Sequence, residues 1–423
     1  MKIAVIGAGA AGLAAIKHAI EINCEVIGFE QTDKVGGTWV YTPHVGKNEF
    51  GIDIHSSMYQ NLTTNLPIEL MCYPNEPFPS NPESFVSSDV VLSYYESFAD
   101  KYRLRDHIKF LNQVVRVRPL SQDYLGGWEV IVRDVSIGTY ETYTFDAVLI
   151  CNGHFHSGFI PNYEGTKSFQ GKQLHSHNYR SPEVFKDETI LVIGGNFSAV
   201  DIVQQTAPHA KSVIWSHHLK NGPNVTLLGE NVTQKPDVLK LGENNAVFVD
   251  NTTSSVTTII YCTGYEFKFP FLSVDCGISS CDGYVRPLFK HCLNINRPTM
   301  GFIGLPNLVC PNQLFSLQSR FCLSFLTGKK ALPTKEQMIE DTETDLNDRW
   351  KRGLPKRKAH MMGLNVQAQY YSDLATTAAV EPIKPVIPRM HIHAGMSRQR
   401  DFVNFRRNKY HVIDDETFEA RPI

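Results

Sequence analysis

The sequence predicts an α/β protein made of two dinucleotide-binding units, the smaller inserted into the larger. Three observations carry that reading. Two glycine-rich loops occur about 185 residues apart. Each follows a short apolar run and opens a stretch of helical character, the strand–loop–helix order that a phosphate-binding turn needs. Gly301 to Gly304 then reads as a strand that re-enters the first unit, so the second lies within the first.

Composition bounds the rest. The chain has 423 residues and 42% hydrophobic content, enough for a well-buried core and two domains. A net charge of −2 argues for neither nucleic acid nor a charged membrane surface. No apolar run approaches the ~20 residues that span a bilayer, so no transmembrane anchor is expected. Met1 leads straight into a strand, and no signal peptide is expected. A cytoplasmic protein is the default, a secreted one the alternative if a leader has been removed. The Asn224 and Asn231 sequons matter only in the secreted case. Nine cysteines without CxxC spacing argue against zinc and against a disulfide framework, leaving one or two bridges open.

At the first loop, Lys2 to Ile6 suits a buried parallel strand. Gly7-Ala8-Gly9-Ala10-Ala11-Gly12 follows, and Leu13 onward reads as helix. Gly7 permits the tight turn, Gly9 admits the backbone to a pyrophosphate, and Gly12 lets helix pack on strand. The helix N-terminus offers free N–H groups and partial positive charge to phosphate. The next strand, Glu25 to Glu30, ends in an acid 18 residues after Gly12, near the spacing of a ribose-binding carboxylate. Val35-Gly36-Gly37-Thr38-Trp39 is a GG-x-W box that resembles flavoproteins more than simple NAD dehydrogenases. Gly37, Thr38 and Trp39 thus join the loop and Glu30 as candidate flavin contacts, with a core aromatic as the other reading of Trp39.

At the second loop, Thr189 to Ile193 opens into Gly194-Gly195-Asn196-Phe197-Ser198-Ala199. Asn196 and Ala199 replace the later glycines. Ala is an accepted third residue, and Asn tolerates the positive φ that such a turn is expected to need there. Gly194, Asn196, Ser198 and Ala199 are candidate contacts of a second nucleotide. The following strand, Ser212 to Trp215, leads to Ser216, His217, His218 and Lys220 and to no acid. A carboxylate would repel a 2′-phosphate, whereas hydroxyl, imidazole and ammonium groups accept one. NADPH is therefore preferred over NADH, with Ser216 and His217 as candidate contacts and an exposed strand end as the other reading.

Between the loops lies Phe169-x-Gly171-x-x-x-His175-x-x-x-Tyr179. It resembles the identifying pattern of the flavin-containing monooxygenases, class B flavoprotein monooxygenases. Baeyer–Villiger relatives carry Trp-Pro after the histidine; Asn178-Tyr179-Arg180 stands here and favours the amine- and sulfide-oxidising branch. Ile260 to Tyr265 resembles the family's A-T-G-Y element, Ile150 to His154 its strand-to-domain junction, and Asn61 to Pro67 its T-N segment beside the flavin ring. The resemblance covers roughly residues 1 to 375. The general likeness is to compact soluble forms, insect enzymes that N-oxidise pyrrolizidine alkaloids among them.

The resemblance implies FAD and NADPH as cofactors, with O₂ and a small nucleophilic substrate, an amine nitrogen or sulfide sulfur, as partners. It implies a C4a-hydroperoxide on the reduced flavin, sheltered by NADP⁺ until the nucleophile arrives. Asn65 is the candidate catalytic residue, its amide contacting the flavin–oxygen adduct and the nicotinamide; a local Asx turn before Pro67 is the other reading. Thr64 and Asn65 also join the flavin contacts. The family often has a base where Ile68 stands, so a salt bridge is expected to be missing. Val115 is placed near the adenine, with a core strand equally open. Gln313 opens a helix to Leu326 whose N-terminus would face the ring. His175 is read as a structural histidine or an NADP phosphate contact. No metal is expected at His175-x-His177 or His391-x-His393, where no acid or cysteine completes a set.

The expected domains are an FAD-binding part at 1–165, an NADP-binding domain at 166–277, and a second FAD-binding part at 278–423. Within the last, Thr334 and Gln337 read as a capping box. The Pro- and Arg-rich tail reads as wrapping the flavin domain or a neighbouring subunit, and a homo-oligomer is expected. No internal repeat is apparent. Two other functions compete. A pyridine nucleotide–disulfide reductase needs an early CxxxxC, and the only such pair is Cys276 to Cys281. A flavin redox sensor would bind the cofactor without turnover.

Overall fold

Two sheets, the larger mostly parallel and the smaller wholly so, organise the chain in the computed structural model, which describes residues 1–219 and 228–422. The larger sheet runs in the order Leu288–Phe289, Leu293–Asn294, Met300–Phe302, Ala147–Ile150, Lys2–Ile6, Glu25–Phe29, Ile108–Lys109. The smaller runs Val232–Lys235, Ser212–Ser216, Thr189–Ile193, Thr258–Tyr261, Lys172–His175, with every pair parallel. Met300–Phe302 returns to pair with Ala147–Ile150, so the smaller sheet is an insertion within the larger unit. Both are Rossmann-like folds.

Covered parallel strands need apolar residues on both faces. Lys2–Ile6 shows how they divide. Ile3 and Val5 belong to a core shared with the helices Ala10–Glu21 and Pro311–Leu326. Ala4 and Ile6 face a second core, shared with Val117, Trp128 and Val130 of the antiparallel sheet Asn112–Pro119, Trp128–Asp134, Tyr140–Phe145.

Two strands of different sheets meet end to end. Phe145 ends the antiparallel strand Tyr140–Phe145, and Ala147–Ile150 belongs to the parallel sheet. Asp146 turns the chain between them, its carboxylate accepting the Lys2 N–H at 2.7 Å.

A paired connection joins the units. Gly158 bridges Tyr265 in antiparallel sense. Phe159 N–H donates to Gly264 O, and Glu266 N–H to Ser157 O, both at 2.9 Å. The resemblance motif builds this junction. Phe169 is buried in the inserted core and Tyr179 in a core beside it. A Cβ on Gly171 would lie 2.3 Å from Thr257 O. His175 accepts the His177 N–H at Nδ1, so its proton sits on Nε2 and donates to Gly264 O at 2.9 Å. His175 is thus a hydrogen-bonded residue at the end of Lys172–His175, the edge strand of the inserted sheet.

The tail wraps the larger unit. Its helix Val386–Arg400, the turn Phe405–Arg407 and the hairpin Asn408–Val412/Phe418–Pro422 contribute Val386, Met390, Phe405 and Tyr410 to the first core. Phe402 and Val403 reach across to the inserted unit's core. The Thr334–Gln337 capping box forms, with both reciprocal bonds present. All nine cysteines are free thiols. No helix among the described residues is long and apolar enough to cross a membrane.

Candidate functional site

The first loop closes tightly. Gly7 has φ +101°, and Gly9 precedes the helix Ala10–Glu21 with no side-chain cap. A Cβ on Gly12 would stand 1.9 Å from Gly7 O. The uncapped first-turn N–H groups therefore face a concave backbone free of side chains, which fits a diphosphate. Ala8 and Ala11 are buried and Ala10 partly so. The Gly37–Trp39 turn lies over this loop: a Cβ on Gly37 would sit 2.9 Å from Gly9 Cα. Ser56 Oγ donates to Thr38 O at 2.7 Å, and Thr38 Oγ1 lies 3.3 Å from Ser57 Oγ. Trp39 is partly buried and packs against two cores.

Glu30 is buried. Its Oε2 accepts the Ala8 N–H and its Oε1 the Thr32 N–H and hydroxyl, all at 2.9 Å. Burial raises its pKa against those hydrogen bonds. The carboxylate therefore braces the loop while Oε2 keeps a further acceptor site. Thr32, absent from the sequence reading, is the partner that holds it. Asn112 N–H donates to Glu30 O at 2.8 Å, which starts the strand carrying Val115. Val115 itself sits where that strand's register shifts, between Val114 and Arg116.

Thr64 is buried and paired with Val86 through N–H to O at 2.9 Å and Val86 N–H to Oγ1 at 3.1 Å. Asn65 follows it and leads through Pro67 into the short helix Ile68–Met71, whose first residue is buried. Gln313 Nε2 donates to Cys72 O at 3.0 Å. The Asn65 segment is thereby tied to the N-terminus of Pro311–Leu326, which starts two residues before Gln313.

The second loop has the same path with fewer constraints. Gly194 has φ +133°, and Asn196 precedes the helix Phe197–Thr206 with φ −105° and no side-chain cap. The positive φ expected at Asn196 is thus carried by Gly194. The corresponding Gly9 is also extended, with φ −75°, so this position needs no left-handed residue. Ala199 is fully buried, and Ser198 lies in the open first turn. Trp215 Nε1 donates to Gly194 O at 2.7 Å.

Ser216 and His217 are already engaged. Ser216 is fully buried, with its hydroxyl donating to Pro236 O at 2.7 Å. His217 Nδ1 accepts the Leu219 N–H at 3.1 Å, and its Nε2 lies 2.9 Å from the Gln234 side-chain nitrogen. His218 is exposed beside Asp237 at 3.3 Å, an acid brought in from a later segment. Lys220 and Asn224 lie outside the described residues. His391 and His393 bond separately to Gln367 and Tyr410.

One cluster escaped the sequence reading. Arg406, from the tail, donates through Nε to Thr64 O at 3.0 Å and through Nη2 to Asn65 Oδ1. The same Nη2 lies 3.0 and 3.2 Å from the two carboxylate oxygens of Asp201. Asp201 belongs to the helix opened by the second loop and also accepts Tyr59 OH at 2.9 Å. The signal for Asp201 was a lone acid in an apolar helical run; nothing local marks Arg406. A histidine cluster lines the junction nearby. His55 and His156 stack at 4.9 Å. Burial pushes His55 down to about 3, and His154, His156 and His175 to about 4.

Comparisons with known proteins agree with this architecture. The flavin-binding monooxygenase-like family model matches residues 1–222 and 219–396. Senecionine N-oxygenase of Tyria jacobaeae is 30% identical over 99% of this chain and 92% of its own length. Flavin-containing monooxygenase FMO GS-OX-like 4 of Arabidopsis thaliana is 33% identical over 94% and 91%. The solved S-allyl-L-cysteine S-oxygenase of Allium sativum superposes with a TM-score of 0.88 at 31% identity, covering 96% of this chain and 94% of that one. The chain belongs to the flavin-containing monooxygenase family and is an oxidoreductase that uses FAD and NADPH.

Proposed function

We propose that this enzyme transfers one oxygen atom of O₂ to a soft nucleophile, a tertiary amine nitrogen or a sulfide sulfur. One observation carries the reading: a single guanidinium joins Asn65, beside the first nucleotide unit, to Asp201 on the helix of the second. Asn65 thus stands where the two units meet. FAD, reduced by NADPH, supplies the activation of O₂. The chain's own residues bind, orient and shelter. Gly7–Gly12 would hold the diphosphate of FAD, Glu30 its ribose and Val115 the adenine side. Gly37–Trp39, Thr64, Asn65 and Gln313 would line the flavin. Gly194, Asn196, Ser198 and Ala199 would hold NADPH. With Ser216 and His217 committed internally, the 2′-phosphate falls to groups at the open strand end such as His218. The domain boundaries we assign are 1–165, 166–277 and 278–423.

Asn65 donates and accepts without titrating, which suits a group that must serve before and after oxygen transfer. N-oxygenation of a pyrrolizidine alkaloid is the narrower reading, supported by the N-oxygenase relative. The test is product analysis with NADPH and air on tertiary amines, alkaloids and thioethers. N-oxide or S-oxide formed mole for mole with NADPH supports the proposal. NADPH oxidation that gives only hydrogen peroxide with every compound contradicts it. An efficient alkaloid N-oxide sets the narrower reading above the broad one; activity on simple amines alone removes it. Asn65→Ser is expected to keep oxidising NADPH while releasing most of the oxygen as peroxide.

A further inference from the structure

The Asn65 amide can face its surroundings in two ways, oxygen or NH₂ foremost. A guanidinium offers only donors. Its contact with Asn65 must therefore be made by Oδ1, which leaves the NH₂ as the end available to a ligand. No protein acceptor for that NH₂ occurs among the described residues. Arg406 is itself held from three sides. Thr64 O takes its Nε, the Asp201 carboxylate takes Nη2, and its guanidinium carbon lies 4.9 Å from the Phe405 ring centre. Asp201 is 7% exposed and the Arg406 side chain 20%, so the pair is held away from bulk solvent, where such bonds are strong and directional.

We infer that Arg406 is a positioning residue: it fixes the Asn65 amide with its oxygen toward the tail and its NH₂ toward bound cofactor. It also makes that orientation depend on the inserted domain, because Asp201 anchors the guanidinium. The C-terminal segment becomes part of the oxygen-handling site without touching the reacting atoms. This rests on the reading of Asn65 given above.

The test uses the full-length FAD-loaded enzyme with Arg406→Leu, Arg406→Lys, Asn65→Ser and the Asn65→Ser/Arg406→Leu pair. Peroxide released per NADPH, NADPH KM, FAD content and a crystal structure with NADP⁺ are read. Arg406→Leu is expected to cut product per NADPH by about tenfold or more, the usual loss when an orienting partner is removed. KM and FAD content should stay near wild type. Arg406→Lys should recover most of the coupling, since an ammonium is also donor-only. The double variant should be no worse than Asn65→Ser, as expected of residues acting through one group. In the crystal structure of Arg406→Leu, Asn65 should turn or occupy two orientations.

Wild-type coupling in Arg406→Leu, or losses that multiply in the double variant, overturns the inference. So does an Asn65 side chain that keeps its orientation without the guanidinium. If Asn65→Ser itself couples normally, the reading of Asn65 fails as well. If Asn65→Ser uncouples and Arg406→Leu does not, only the role of Arg406 falls. Should Arg406→Leu fail to fold, Asp201→Asn is read in the same assays: partial uncoupling supports the inference and full coupling overturns it.

Discussion

At the first loop Gly7 adopts φ +101°, and at the second Gly194 adopts +133°. At both, an added Cβ would run into the carbonyl oxygen of a cysteine just past the neighbouring strand, Cys151 at 2.7 Å and Cys262 at 2.3 Å. That requirement is shared. Each cysteine is followed two residues later by another positive-φ glycine, Gly153 and Gly264, so the units repeat a structural element that no fixed period reveals. The third position differs. Gly12 leaves 1.9 Å for a Cβ, whereas Ala199 carries one in a fully buried place. The first loop is also overlaid by the Gly37 turn and braced by Glu30; at the second, Leu219 lies against Gly195, and among the described residues no carboxylate bonds to the loop's backbone. A cradle braced by a buried carboxylate suits a cofactor that stays; one without that brace suits a nucleotide that must come and go.

Substitutions at equivalent positions should break that comparison unequally. The largest effect is expected from Gly12→Val, which drives a branched side chain into the Gly7 carbonyl. It should cost about 3 kcal/mol or more, seen as loss of FAD content and of the thermal transition. The counterpart change, Ala199→Gly, should cost about 1 kcal/mol in helix propensity and leave FAD content intact. Next comes Gly194→Ala. Its Cβ meets backbone and its φ is left-handed, so NADPH affinity should fall by about tenfold or more, the equivalent of roughly 1.4 kcal/mol, with FAD retained.

The junction between the units supplies a pH test. His55, His154 and His175 are neutral in the folded protein, with pKa values pushed from 6.5 down to about 3, 4 and 4. Below pH 6.5 the unfolded chain takes up protons that these folded sites refuse. Stability therefore falls as pH drops from about 6.5 toward about 4, by up to roughly 3 kcal/mol for each such group. Differential scanning calorimetry across that window should show a steadily falling midpoint; a flat profile contradicts the buried neutral cluster. The smallest effect belongs to Asn196→Gly. Because Asn196 is already in ordinary extended backbone, NADPH affinity should stay within about threefold of wild type, under 1 kcal/mol.

These contrasts also show what local pattern can and cannot reveal. The strands Lys2–Ile6 and Thr189–Ile193 and both loops were legible because strand, turn and helix are consecutive. The motif from Phe169 to Tyr179 was legible as a likeness, but its work, packing and a backbone hydrogen bond, emerges only from the fold. Asn196 does not adopt the left-handed conformation; a fingerprint does not say which position carries it, and here Gly194 does. Ser216 and His217 had the right chemistry, but their side chains are engaged by Pro236, Leu219 and Gln234. Arg406 was illegible because its contact with Asn65 spans 341 residues.

All of these contrasts depend on the first loop holding FAD and the second presenting NADPH to it. The most direct measurement is the visible flavin spectrum during anaerobic NADPH titration, wild type against Gly194→Ala. A yellow wild-type protein that bleaches on NADPH, beside an equally yellow variant that bleaches only at much higher NADPH, is the predicted result. A colourless wild type, or a Gly194→Ala variant that loses its FAD while NADPH binding survives, would contradict it.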